Sequence, residues 1–375
     1  MSSISIENGY FVFTLMPSLF CKLRCPHCYL SLEQRKDKTI LSIEDIRIAC
    51  QKVDDYYKER KLKQKTIICY WYGGEPTSMG IPYFKEMADT INSVFTKEKG
   101  YRVKHTILSA LVGVKEDWYP VFEEYGNNYV QTSFDGLMRG DKYVQRWEES
   151  VKKIIDRKID LATISVVNST LLKDEPEPVL DYLSELGVKE TSWLPFMLNE
   201  QNYNSGKYEE YAPKMNDWSN FMIRLTEHWL KRKSENKHVP EIGQMSFILS
   251  QRNLPSLSNI ASQTLFLMPN GDFVLPDYKY GWYEFMQPFG NIFEKSFKEI
   301  LFSPERRKYI RRQVTRNKNP ECRTCEHSNK CVMEFWKDNR PGDDCFGGKK
   351  YIEWLLVNKK NISKYTYIDH DLSLY

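Results

Sequence analysis

No run of eighteen apolar residues occurs in this 375-residue protein, so no segment reads as a membrane-spanning helix. Met1 to Asn8 is polar and lacks the apolar core of a secretory signal. There is no internal repeat and no low-complexity tract. An excess of one charge is missing too: 54 Lys and Arg against 50 Asp and Glu leave a net charge of +4, too even to imply a nucleic-acid partner. The basic stretches near 58–65, 98–104 and 305–318 read as solvated helix faces. Cysteine is absent from positions 70 to 321, yet there are nine in all. These absences set the expectation of a cytoplasmic protein with no membrane and no nucleic-acid partner, in a compartment that keeps thiols reduced.

What is present begins with Cys21-Lys-Leu-Arg-Cys25-Pro-His27-Cys28, just after the apolar stretch Tyr10 to Met16. An odd trio of thiols this close makes a poor disulfide framework and points to metal. Three ligands also leave one coordination position open. A structural zinc site closes with four, whereas a site that does chemistry keeps a place for substrate. An iron–sulfur cluster on three thiolates would likewise leave one iron free.

Hydrophobic residues make up 41% of the sequence, enough to bury a large core. From Tyr10 to about Leu198, short apolar runs alternate with amphipathic stretches. Strands are predicted at Phe11–Met16, Thr66–Tyr72, Val103–Leu108, Tyr129–Phe134, Leu161–Val167 and Thr191–Phe196. Helices are predicted from Ser42 onward and at Tyr83–Phe95, Lys115–Tyr125, Lys142–Arg157 and Glu175–Leu186, the last stopped by Gly187. Six β-α repeats imply a parallel sheet with crossover helices, with chemistry at the carboxyl ends of the strands. The polar segment Asn199–Gly206 reads as turn-rich, followed by a long helix from about Pro213 to Arg232. Thr264–Met268 and Phe273–Leu275 flank the hairpin signal Pro269-Asn270-Gly271-Asp272, and short helices are predicted at Phe297–Leu301 and Pro304–Arg312.

Tyr72-Gly73-Gly74-Glu75-Pro76 closes the second predicted strand. Paired glycines let a ligand approach the backbone, and the carboxylate beside them can accept bonds from an ammonium group. Alone, such a stretch is an ordinary turn. Ser133-Phe-Asp135-Gly136 ends the fourth strand, Arg146 follows it, and Ser165 lies on the fifth. Cys50, on the apolar face of a predicted helix, and Cys69, inside a predicted strand, read as buried core residues.

The C-x3-C-x2-C run followed one β-α unit later by Gly-Gly-Glu resembles the radical S-adenosylmethionine (radical SAM) enzymes. The resemblance implies an α/β fold, a partial (β/α)6 TIM-like barrel, with a [4Fe–4S] cluster on Cys21, Cys25 and Cys28. The open iron would chelate S-adenosylmethionine, whose reductive cleavage gives a 5′-deoxyadenosyl radical. It further implies that Gly73, Gly74 and Glu75 meet the SAM amino group and that Ser133 helps hold SAM. Arg146 is then either a partner of the SAM carboxylate or a surface helix arginine, and Ser165 a candidate for the ribose. His27 stands where the family has an aromatic residue before its third cysteine. The third strand departs, reading Ser109-Ala110-Leu111 where the family often has Thr-Asn-Gly, so the resemblance does not carry the family's polar contact over to that loop.

Near the C-terminus, Cys322-x2-Cys325-x5-Cys331-x13-Cys345 could hold zinc or a closed cluster. The spacing resembles the SPASM extension of radical SAM enzymes. Phe335 replaces one family cysteine, and the upstream ligands of a second cluster are missing, so the resemblance implies one auxiliary [4Fe–4S] cluster on these four thiolates, as in a twitch-like variant. Asp277, near the position of a lost ligand, is either a base toward substrate or a turn aspartate. The aromatic group Tyr278, Tyr280, Trp282, Tyr283 and Phe285 reads as loop or core packing that would also suit a peptide groove.

The implied organisation is a barrel core over 1–200, a helical linker region over 201–263, an auxiliary cluster domain over 264–348, and a C-terminal helix and tail over 349–375. The implied activity is oxidative modification of a ribosomally made precursor peptide, most readily C–C or C–O crosslinking between side chains, fed by a flavodoxin- or ferredoxin-like electron donor. Only twenty residues precede Cys21, so peptide recognition is expected from the barrel, the extension or a separate partner. Two other readings stay open: a small-molecule radical SAM dehydrogenase acting on an alcohol, and a zinc-stabilised scaffold. The scaffold accounts for the last four cysteines but not for the first three with their Gly-Gly-Glu.

Overall fold

The computed structural model describes residues 5–249, 262–275, 286–315, 324–327, 331, 343, 345 and 348–366. Six parallel strands follow the β-α order: β1 Tyr10–Leu15, β2 Lys65–Trp71, β3 Tyr101–Ile107, β4 Tyr129–Ser133, β5 Asp160–Val167 and β6 Glu190–Pro195. They fall in two hydrogen-bonded sheets, β1-β2-β3 and β4-β5-β6. The seam between them is a single parallel bridge from Leu108 to Gln131, where Ser109 N–H donates to the Gln131 carbonyl at 3.0 Å. The result is a parallel sheet with crossover helices, as the β-α repeats implied, in the partial-barrel form that the family resemblance implied.

Period-two alternation decides which side chains face inward. On β1, Phe11 and Phe13 are fully buried and face the covering helices, Phe11 meeting Phe297 with ring centroids 5.5 Å apart. On β2, Trp71 stacks on Phe84 of a helix at 4.3 Å. Tyr70 and Tyr72 therefore face the other way, into the barrel. Cys50 and Cys69 are fully buried in the main core, and burial pushes both thiols up, Cys50 with a contribution from Cys69. They sit in the layer between β2 and its covering helix.

The helices are α1 Leu32–Lys36, α2 Ile43–Glu59, α3 Ile81–Val94, α4 Tyr119–Glu124, α5 Asp141–Asp156 and α6 Pro176–Glu185. Ser42 caps α2 by accepting from Asp45 N–H at 3.0 Å, and Gly187 follows α6 at φ 87°, a left-handed stop. Asn199–Gly206 differs from the turn-rich expectation. It contains α7 Glu200–Asn204, opened by a reciprocal capping box between Asn199 and Asn202, and leads into α8 Lys207–Tyr211. Polar Asn residues suggested turns, but the same side chains serve equally as caps. Helix α9, Met215–Ser234, packs on α6 and β6. A short edge strand β7, Glu241–Ile242, and helix α10, Gly243–Leu249, complete this side.

The backbone then returns to the opposite edge. Strand β8, Thr264–Leu267, adds parallel to β1 in the register Val12 to Thr264, and β9 Asp272–Val274 and β10 Gly290–Asn291 extend it antiparallel. Lys52 of α2 ties this extension down, its ammonium donating to the carbonyls of Ile292 at 2.5 Å and Lys295 at 3.0 Å. Helices α11 Phe297–Leu301, α12 Pro304–Thr315 and α13 Lys349–Ile362 follow. Helix α13 packs on α9, where Thr226 and Tyr351 share a buried hydrogen bond of 3.0 Å. None of the helices among the described residues is long and apolar enough to cross a membrane.

Candidate active site at the strand ends

The three N-terminal cysteines lie on the loop leaving the carboxyl end of β1. The loop is tied down by its own backbone: Cys21 N–H donates to Arg35 O at 3.0 Å, Leu41 N–H to Pro17 O at 2.8 Å, and Cys28 N–H to Cys25 O at 3.1 Å. The Arg35 guanidinium donates to Leu23 O at 2.9 Å. All three thiols are free and partly buried. Burial pushes Cys21 up to about 11, with further rises from Glu75, Cys25 and Cys28, so the three sulfurs feel one another. Burial also raises Cys25 and Cys28, opposed at Cys25 chiefly by the charge of Arg139. Such thiols resist ionisation until a metal holds them, and a coordinating metal deprotonates a thiol outright. An all-thiol set flanked by two arginines suits an anionic iron–sulfur cluster.

The Gly-Gly-Glu stretch is built against this loop. Gly74 N–H donates to Ser18 O and Glu75 N–H to Phe20 O, each at 3.1 Å. A Cβ on Gly74 would lie 2.2 Å from Phe20 O and 2.4 Å from Leu19 O, and Gly73 adopts φ +112°. Both glycines are thus required by close approach of two backbones. The Glu75 carboxylate is engaged internally. Its Oε1 accepts from Thr77 N at 3.1 Å, Thr77 Oγ1 at 2.7 Å and Ser109 Oγ at 2.9 Å, and its Oε2 accepts from Ala110 N at 2.9 Å. Here sequence reasoning missed a partner: Ser109-Ala110, the departure on the third strand, supplies two of the four donors. The signal was the serine itself at a strand end.

At the end of β4, Asp135 is buried and holds Arg139 in an ion pair whose side chains are 0% and 5% exposed. The other Asp135 oxygen accepts from Val166 N on β5 at 2.8 Å. Arg139 also donates to Tyr143 Oη at 2.6 Å and lies 3.3 Å from His27 Nε2. A guanidinium only donates, so His27 Nε2 accepts and its proton sits on Nδ1. Burial holds His27 down to about 4, so the ring is neutral near pH 7. His27 Nδ1, Arg139 Nε and the Oγ of fully buried Ser165 on β5 are buried without a hydrogen-bond partner. Ser133 is partly buried at the end of β4. Arg146 is exposed on α5; the arginine that reaches the cysteine loop is Arg139, seven residues earlier.

Inside the barrel mouth, Tyr72 stacks between Tyr29 at 6.1 Å and Tyr70 at 6.0 Å and meets Phe266 of β8 edge-on at 6.0 Å. Tyr70 donates to Gln131 Oε1 at 2.7 Å, joining β2 to β4 across the mouth. The packing beside the cysteines is therefore aromatic with a few polar tips.

In the C-terminal set, Cys325, Cys331 and Cys345 are partly buried. Cys345 Sγ accepts from Lys349 N–H at the start of α13 at 3.2 Å, a position that favours a thiolate. Two residues before it, Asp343 caps α9 by accepting from Met215 N at 2.5 Å. Cys331 N–H donates to His327 O at 3.0 Å. Cys322, Phe335, Pro276, Asp277 and the aromatic group Tyr278, Tyr280, Trp282, Tyr283 and Phe285 lie outside the described residues.

An iron–sulfur cluster-binding domain model, SPASM, matches residues 259–326. A cysteine-type anaerobic sulfatase-maturating enzyme of Clostridium novyi (strain NT) is 22% identical, over 94% of this protein and 95% of that one. Among solved structures, anSMEcpe with bound AdoMet and the Cp18Cys peptide superposes with a TM-score of 0.71 at 16% identity, covering 94% of this protein and 99% of that one. Streptococcus suis SuiB bound to S-adenosylmethionine superposes at 0.60 with 14% identity, covering 87% of this protein and 73% of that one. The resemblance to radical SAM proteins of the SPASM type therefore holds along nearly the whole length, in the fold as in the motifs.

Proposed function

We propose that this protein is a radical SAM enzyme that oxidatively modifies a peptide, with C–C or C–O crosslinking between side chains as the specific outcome. The observation that carries it is the three-thiol loop locked onto Gly73-Gly74-Glu75 at the carboxyl ends of parallel strands. When bound there, the cluster and SAM supply a 5′-deoxyadenosyl radical able to take hydrogen from an unactivated C–H bond.

The protein's own residues have the remaining tasks. Cys21, Cys25 and Cys28 would hold the cluster through three thiolates. Gly73 and Gly74 offer backbone to the amino group of SAM, and Glu75, braced by Thr77, Ser109 and Ala110, keeps that backbone in place. Ser133 and Ser165 line the cofactor's path, the latter with a hydroxyl still lacking a partner. Tyr29, Tyr70 and Tyr72 form a wall that holds a substrate side group away from water. Cys322, Cys325, Cys331 and Cys345 would hold one auxiliary cluster, the acceptor for the substrate electron. Asp277 is the proposed proton acceptor, Arg146 a rim residue, and a flavodoxin- or ferredoxin-like protein the cytoplasmic donor.

Support for a peptide substrate comes from the relatives: one matures sulfatases by name, and anSMEcpe and SuiB were each solved with a bound peptide. The test is anaerobic incubation of reconstituted protein with SAM, dithionite and the products of short neighbouring genes. Formation of 5′-deoxyadenosine with a peptide lighter by about two hydrogens per linkage supports crosslinking. Cleavage of SAM with no peptide changed in mass defeats the peptide reading, and no cleavage at all defeats the enzyme reading.

A further inference from the structure

Arg139 reaches the cysteine loop directly and, through Asp135 and Tyr143, is linked to the ends of β5 and β3. Asp135 anchors it to the end of β4 and, through Val166 N–H, to β5. Its guanidinium reaches His27 on the cysteine loop and the hydroxyl of Tyr143, which lies 3.5 Å from the Ala110 carbonyl beside the Glu75 brace. The Tyr143 ring sits under the guanidinium, 4.8 Å from centroid to carbon.

A buried ion pair is a poor way to gain stability. Removing both charges from water costs several kcal/mol per ion, and an apolar pair of equal volume often serves as well. Here the arrangement also leaves Arg139 Nε and His27 Nδ1 without partners. Fold stability alone does not account for a permanent cation at this spot. Its position does: the buried guanidinium lies 3.3 Å from Nε2 of His27, which stands between Cys25 and Cys28 on the cysteine loop.

Building on the function proposed above, we propose that Arg139 is a positioning residue for the N-terminal cluster: a buried guanidinium, oriented by Asp135, that offsets the negative charge gathering on the cysteine loop when the cluster is reduced and holds His27 in its Nδ1-protonated form. Reduction adds an electron to an already anionic centre. A fixed cation beside one ligand favours the reduced state, as hydrogen bonds and nearby charge do at such clusters generally. Asp135 works in the opposite sense and sets how much of that charge is felt.

The test is a redox titration of the N-terminal cluster followed by electron paramagnetic resonance, its signal identified by its loss in the Cys21→Ala, Cys25→Ala, Cys28→Ala protein. Arg139→Met is expected to make reduction harder, with about a tenfold lower ratio of reduced to oxidised cluster at a fixed potential, equal to about 59 mV for a one-electron couple. Asp135→Asn is expected to shift the midpoint the other way, and Arg139→Lys to recover part of the loss. If Arg139→Met does not fold, the double replacement Asp135→Asn with Arg139→Gln removes both charges together and is still expected to lower the midpoint, because the guanidinium reaches the cysteine loop while the carboxylate turns to Val166 N–H on β5. Equal midpoints in wild type and every folded variant overturn the inference while leaving the enzyme reading intact. Absence of iron from the wild-type loop overturns the enzyme reading itself.

Discussion

The loop bearing Cys21, Cys25 and Cys28 leaves a parallel strand and is pinned on both flanks by backbone hydrogen bonds, to Arg35 on one side and to Gly74 and Glu75 on the other. In the C-terminal set two ties run to helix ends: Cys345 to the first turn of α13, its neighbour Asp343 to the first turn of α9. The first site is thus held in place by the protein's own backbone. Among the described residues, the second set is tied to the starts of two helices. Preformed sites tolerate loss of metal, whereas sites whose ligands come from connecting segments derive folding energy from it.

The sharpest way to break this comparison is to remove the ligands. Cys21→Ala, Cys25→Ala, Cys28→Ala is expected to abolish SAM cleavage while changing unfolding free energy by only about 1 kcal/mol. Cys331→Ala with Cys345→Ala is expected to cost more stability and to speed hydrogen exchange in α13. Denaturant melts and exchange mass spectrometry read both. Equal stability losses in the two proteins would erase the distinction.

A smaller but still large effect is expected at Gly74→Ala. The added methyl meets two carbonyl oxygens of the cysteine loop at 2.2 and 2.4 Å, and neither is the end of a flexible side group. The strain is about 3 kcal/mol, and SAM affinity by calorimetry falls at least about tenfold. Unchanged affinity would show that the loop moves freely, against the idea of a loop held by its backbone.

In the core, His105 gives a pH signature. It accepts from Trp71 Nε1 at 3.1 Å through Nδ1, so its Nε2–H faces Asn92 Oδ1 at 3.0 Å. Burial holds it down to about 4, against 6.5 for a free histidine. Between those values the unfolded state binds a proton that the folded state does not. Stability at this group is therefore present above pH 6.5 and lost as pH falls toward 4, by at most about 3 kcal/mol. Denaturant midpoints measured from pH 7 to 4 should fall less steeply in His105→Gln than in wild type. Parallel curves would remove His105 from the account.

The finest cut is Ser109→Ala. It deletes one of four donors to Glu75 and leaves both from Thr77, so the expected cost is about 1 kcal/mol with SAM affinity weakened about fivefold. A loss as large as that of Gly74→Ala would mean that the brace, and not the glycine contact, holds the site together.

Much of this protein was legible in its residues. All six barrel strands lie within two residues of their predicted bounds, because parallel strands buried on both faces read as apolar runs bounded by turns. The first cysteine trio and the Gly-Gly-Glu were legible because their spacing is local. Arg139 and Ser109 were not singled out. Arg146 had the more suggestive place in the sequence, yet it falls on the exposed face of α5, while Arg139 ends the short turn before Gly140 and points inward. Nor did anything in the sequence mark Glu75 as a carboxylate already engaged.

The amino-acid order by itself determined the strand and helix succession, the thiol chemistry and the need for glycine where two backbones meet, since each depends on neighbours a few residues apart. Only the tertiary structure decided which arginine reaches His27, that Ser109 and Ala110 brace Glu75, and that β8 returns to the free edge of β1. Those partners lie tens to hundreds of residues away, and they meet because the closing of a twisted parallel sheet carries the ends of its strands to one mouth.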